Sequence, residues 1–155
     1  MRPFLLSIIL ISSAVGLSAC TGNPSGNSPT APSTIDLTGT WSGDFTVQGS
    51  TAVMTWNLTE ASGSNAVTGP VRLALPSGIV LLNGALSGTL SGSTLTFVIT
   101  VGPGGIPSQP SCTGQLGTSA VAAIATTSTL SGTLTVVESS CPVPVQDGPF
   151  TLTKS

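Results

Sequence analysis

The groups in this 155-residue chain able to do covalent or acid–base chemistry are three cysteines, Cys20, Cys112 and Cys141, and five carboxylates, Asp36, Asp44, Glu60, Glu138 and Asp147. Histidine is absent, so the usual general base and the central member of a nucleophilic triad have no candidate. A Gly-x-Ser-x-Gly elbow and a phosphate-cradling glycine loop are missing too. Two carboxylates brought together by a fold would suit glycoside cleavage, but these five are scattered. Asp44 alternates with Phe45 and so faces solvent, Glu60 and Glu138 fall at strand ends, and Asp36 and Asp147 lie in connections. Each reads most simply as a solubilising charge, and the domain as non-catalytic. With no imidazole and no second close cysteine to complete a coordination shell, neither a metal site nor a cofactor is expected.

Cys20 differs from the other two cysteines in what precedes it. Arg2 supplies a thin positive start, and Phe4 to Leu17 form an apolar run of mostly Leu, Ile, Val and Ser. That run is shorter than the roughly 20 residues a membrane-spanning helix needs, and it fits the helix of a cleaved signal at residues 1–19. Leu17-Ser18-Ala19-Cys20 resembles a bacterial lipobox. The resemblance implies that Leu17, Ser18 and Ala19 are read by the signal peptidase and that the chain is cut before Cys20. It also implies that the Cys20 sulfur carries diacylglycerol and that the freed amino group is acylated, for example with palmitate. One acyl chain binds a membrane only weakly, at about 10⁴ M⁻¹, so two or three make the anchor stable. The residues alone leave open an ordinary secretory signal, or an uncleaved anchor, with a coincidental cysteine. On the lipobox reading the protein is a bacterial envelope lipoprotein whose partner is a membrane. Thr21 in place of an aspartate retention signal leans the address to the outer membrane.

If Cys20 is committed to lipid, Cys112 and Cys141 remain as an even pair in a compartment where disulfides persist. Such a bond would close a loop of about 30 residues and stabilise by on the order of 3–4 kcal/mol in the chain-entropy model; two reduced thiols are the alternative. Without residues 1–19, Arg72 and Lys154 face the five carboxylates, a net charge of −3. No basic patch exists to release counterions from a phosphate backbone, so nucleic acid is not a partner. In the linker at 20–33, the residues after Cys20 are Pro, Ser, Gly, Thr, Asn and one Ala, with no apolar residue from 21 to 33 larger than Ala or Pro. They read as a disordered tether, which if extended at about 3.1 Å per residue would lift a domain roughly 40 Å.

Residues 34–155 have the length of one domain and lack a helical pattern. Apolar residues alternate with Ser and Thr, most cleanly in Leu95-Phe97-Ile99-Val101, and a period of two marks a strand with one buried face. The same rhythm runs through Trp41, Gly43, Phe45 and Val47; Met54, Trp56 and Leu58; Val67 to Leu75; and Val80 to Leu90. Gly49-Ser50, Ser62 to Asn65 and Ser91-Gly92 supply turns, and Asn83-Gly84 would serve to split the fourth strand. Gly102 to Pro110 is a loop, since its prolines cannot donate to a ladder. Cys112–Leu116 and Val121–Ala125 are expected as two strands, the second too uniformly apolar for its register to be read. Leu130, Gly132, Leu134 and Val136 share a face, Cys141-Pro142-Val143-Pro144 marks a loop, and Phe150 with Leu152 forms the last strand, eight or nine in all.

Leu37-Thr38-Gly39-Thr40-Trp41 is echoed at Leu86–Leu90 and Leu130–Leu134, with Leu, Gly and the large residue on one face each time. Glycine between bulky inward residues permits the strong coiling of closed sheets. The Gly-x-Trp of the first of these segments, opening a strand meander, is similar to the start of calycin barrels, the lipocalins and avidins. The resemblance implies an antiparallel up-and-down barrel of about eight strands with Trp41 plugging one end. No ligand-binding position of that family can be placed on this chain. A β-sandwich, which short strands and a Cys112–Cys141 bridge would also suit, is the alternative.

Two functional readings follow. In one, the barrel encloses a small apolar ligand in a cavity lined by Met54, Trp56, Leu95 and Phe97. In the other the interior is solid and the domain is a structural or interaction module of the cell envelope, acting through its outer surface. An eight-stranded barrel is just wide enough for either.

Overall fold

The computed structural model describes residues 35–142 and 147–155, apart from the side chains of 118–122. The lipobox at 17–20 and the tether at 20–33 lie outside the described residues, as do Val143 and Pro144. Nine strands make up the regular structure: β1 (Gly39–Val47), β2 (Ser50–Glu60), β3 (Ala66–Ala74), β4 (Val80–Ser91), β5 (Thr94–Val101), β6 (Gly114–Ala125), β7 (Thr129–Leu134), β8 (Val136–Ser139) and β9 (Gly148–Lys154). All pair antiparallel with their neighbours. The order β5-β4-β3-β2-β1-β9-β7-β6 is closed by the β5–β6 pairing, so eight strands form an up-and-down barrel rather than a sandwich. The ninth, β8, continues beyond β7 along the same side of β6.

The alternation sets the wall. Trp41 and Phe45, Met54, Trp56 and Leu58, Val67 and Val71, Leu82, Leu86 and Leu90, and Leu95 to Val101 at every second position all point inward and are buried. Thr40, Asp44 and Thr46, Asn57 and Thr59, Arg72, Ser87 and Thr89 point outward and are exposed. This polar-out, apolar-in arrangement is the reverse of a membrane-spanning barrel, whose lipid face is apolar. Closing so few strands demands tight coiling, and glycine supplies it at two inward positions. A Cβ on Gly43 would run into the carbonyl of Thr151 on β9, and one on Gly69 into that of Asn57 on β2.

The first hairpin turns on Gln48 and Gly49, one residue earlier than the Gly49-Ser50 pair, because Val47 and Ser50 are register partners. Both turn residues have positive φ, 47° and 78°, the two-residue geometry that matches the twist of the flanking strands. Three further expectations are corrected. Strand β4 runs unbroken through Asn83-Gly84, whose residues pair with Arg72 and Val71 of β3. Leu75 is not part of β3; its amide accepts a place in the next turn by donating to Ile79 O. Cys112–Leu116 and Val121–Ala125 are not two strands, since Gly114–Ala125 is the single strand β6. Its ladder to β5 shifts between Leu95 and Phe97, and Gly117 has φ +93°. A strand irregular in this way loses its period of two, which is why its pattern misleads.

Alternating strand directions sort the connections to two ends. Ile35–Thr38, the loop at 61–65, the turn at Gly92-Ser93, the turn at 126–128 and Ser155 share one end, where Leu90 N donates to Asn65 O, Ala125 N to Ser93 O, Lys154 N to Ser128 O and Ser155 N to Thr40 O. The loop at 75–79, the long loop at 102–113 and Ser140 share the other.

Candidate functional site

At the end where the described chain begins at Ile35 and finishes at Ser155, Leu37 and Trp41 close the barrel. The indole Nε1 of Trp41 donates to Leu37 O at 2.8 Å, and Lys154 Nζ sits 5.5 Å from the centre of the Trp41 ring while donating to Asp36 O at 2.8 Å. Two of the five carboxylates hold this lid: Glu60 accepts from Leu37 N, and Asp36 from Thr38 N. The hydrogen bonds from Thr38, with Lys154 nearby, keep the Asp36 carboxyl below its ordinary pKa.

The four residues expected to line a cavity stand in one core cluster, each at most 2% exposed. Trp56 and Phe97 meet edge to face, 5.2 Å between ring centres. Phe150, from the last strand, completes the group at 5.0 Å from Trp56 and 6.1 Å from Phe97. Such contacts bring stabilisation beyond burial alone. Trp56 Nε1 has no hydrogen-bond partner among the described residues, which sets it apart from Trp41.

The opposite end is built differently. The loop at 102–113 folds back on itself and on the barrel: Gly104 N donates to Pro110 O, Cys112 N to Gln109 O, and Asn83 N of β4 to Gly105 O. Ile106 is buried beneath it. Cys112 and Cys141 lie at disulfide distance, with Cα atoms 4.9 Å apart, tying this loop to the segment after β8. Beside them, Thr113 N donates to Ser140 Oγ and Ser140 N to Thr113 O, both at 2.9 Å. A void of about 10 Å³ under the loop, bordered by Leu82, Val101, Ile106 and Leu116, is too small for more than a water.

On the outer face of the same end, a groove of about 300 Å³ runs over β5, β6 and β8. Its polar lining is Thr100, Thr113, Gln115, Glu138, Ser139 and Ser140. Register puts Thr100 beside Gln115 and Gln115 beside Glu138. A Cβ on Gly114 would come 2.8 Å from Glu138 O, so glycine lets β8 lie close. Sequence reasoning singled out Glu138 only as a strand-end charge and did not single out Gln115 or Thr100. The groove joins strands distant along the chain, and only the β5–β6–β8 register discloses it. The two remaining carboxylates are apart from it in role: Asp147 accepts from Val136 N at 2.7 Å, and Asp44 is exposed on β1.

No family model matches the chain, and neither a curated protein nor a solved structure matches it.

Proposed function

We propose that this chain is a lipid-anchored protein of the bacterial cell envelope, held to the membrane through Cys20, whose non-catalytic barrel acts through its outer surface. The observation that carries the reading is Leu17-Ser18-Ala19-Cys20 at the end of a short apolar run, followed by a tether without bulky apolar residues. Three structural features support it. The described chain enters the barrel at the end closed by Leu37 and Trp41, so a tether attached there leaves the looped, grooved end facing away from the bilayer. The Cys112–Cys141 pair fits an oxidising compartment. The polar wall suits a barrel standing in water beside the membrane rather than in it. Replacing Cys20 with Ser is expected to move the protein from the membrane to the soluble fraction; a Cys20→Ser chain that stays with the membrane contradicts the anchor.

The packed rings of Trp56, Phe97 and Phe150 favour a filled interior. A carrier function is the second reading, and one observation favours it: the buried N–H of Trp56, without a partner among the described residues, is a group that an interior acceptor would satisfy. Native mass spectrometry of the chain released gently from its membrane separates the two. The filled-core reading predicts the bare lipoprotein mass; a stoichiometric extra mass lost on unfolding would favour the carrier.

A further inference from the structure

We propose that the outer-face groove over Thr100, Gln115 and Glu138 binds a neutral, hydroxyl-rich ligand of the saccharide class. The inference deepens the surface reading of the end away from Ile35 and Ser155, and lipidation does not enter its test. The groove's volume, about 300 Å³, reaches the lower range of small-molecule sites, roughly 300–1,000 Å³. Its three central side chains stand in one row across three strands, at a strand spacing of about 4.8 Å. None of the three side chains hydrogen-bonds to another described residue: the hydroxyls of Thr113 and Ser140 bond to each other and to backbone, while Thr100, Gln115 and Glu138 keep their capacity. A carboxylate accepts from two hydroxyls, a carboxamide offers two donors and an acceptor, and a threonine hydroxyl does both. Together they match a ring or ring pair bearing hydroxyls that both donate and accept.

The chemistry of the row disfavours other ligands. Neither Arg72 nor Lys154 is among the residues lining the groove, so its lining offers no cation to hold a phosphate or a carboxylate and Glu138 would repel both. A hard metal ion seeks six or more oxygens, several of them charged, and the groove offers one carboxylate. An apolar ligand would cover all three polar groups without satisfying them. The strand ends beneath the groove are tied by the Thr113–Ser140 backbone and side-chain bonds, so the ordering cost of binding falls on the exposed Gln115 and Glu138 side chains, which fits weak, millimolar affinity.

The test is a titration of the ¹⁵N-labelled full-length chain in detergent micelles with cellobiose, read by NMR. The side-chain NH₂ of Gln115 and the backbone amides of 100–102 and 113–115 are expected to shift and saturate in the millimolar range. Glu138→Gln should weaken binding about tenfold, the loss that follows from removing a charge-assisted hydrogen bond. Glu138 is exposed, so the rest of the spectrum should stay in place. If that variant misfolds, Thr100→Val, at the other end of the row, is read in the same way. No saturable shift up to the sugar's solubility limit, shifts confined to another surface, or equal affinity in the variant overturns the proposal.

Discussion

The two tryptophans are equally buried but chemically unequal. Trp41 donates to Leu37 O and lies under Lys154, whereas the buried Trp56 N–H has no partner among the described residues. Trp41→Phe is therefore expected to cost about 2–3 kcal/mol, because it removes the indole donor and strands a carbonyl. Trp56→Phe should cost about 1 kcal/mol less, since it also deletes an unsatisfied polar group. Urea denaturation of both variants checks the ranking, and the reverse order would mean that the Trp56 N–H is satisfied inside the barrel. Asp36 gives a pH signature at the same end. Its pKa is lowered in the fold, chiefly by the Thr38 hydrogen bonds, so its contribution is present above the unfolded value and is lost as pH falls through the folded one. The stability difference between the chain and Asp36→Asn should be constant at neutral pH, begin to shrink as pH falls to about 4, the ordinary aspartate value, and vanish only once pH is below the lowered folded value; thermal melts across acid pH read it directly.

Strands with one regular buried face were legible in the sequence, and irregular ones were not. Strands β1 to β5 and β9 keep a period of two through Trp41–Phe45, Met54–Leu58, Val67–Leu73, Leu82–Leu90, Leu95–Val101 and Phe150–Leu152, because each has one side on the core and one in water. Strand β6 carries apolar residues on both faces around a register shift and a positive-φ glycine, so periodicity reported two fragments. Strand β8 is four residues long and mostly exposed, too short for a pattern. Inward glycines were readable as coiling devices, and at Gly69 the reason is steric: its missing Cβ is the space taken by the Asn57 carbonyl. Gly69→Ala should destabilise by about 1–3 kcal/mol, seen as a lower urea midpoint. At the far end, the cysteine pair closes a loop of sequence separation 29. Reduction should lower the melting temperature by the equivalent of about 3–4 kcal/mol, and an unchanged melt would exclude the bond.

Across the whole molecule, the up-and-down order puts both described chain ends at one pole and the long loop, the cysteine pair and the groove at the other. The division follows from an even strand count, which returns β9 beside β1. The pole bearing Leu37 and Trp41 is sealed by side chains, and the proposed surface function falls to the opposite pole and the outer wall. Little of that site could be read beforehand, because Thr100, Gln115 and Glu138 converge only through strand register. The proposed membrane address, by contrast, rests wholly on the first twenty residues. Intact-mass and peptide mass spectrometry of the chain extracted from bacterial membranes tests it most directly. The account predicts a mature protein beginning at Cys20 that carries a thioether-linked diacylglycerol and an N-acyl chain; a mature form with an unmodified Cys20 thiol, or one still retaining residues 1–19, would contradict it.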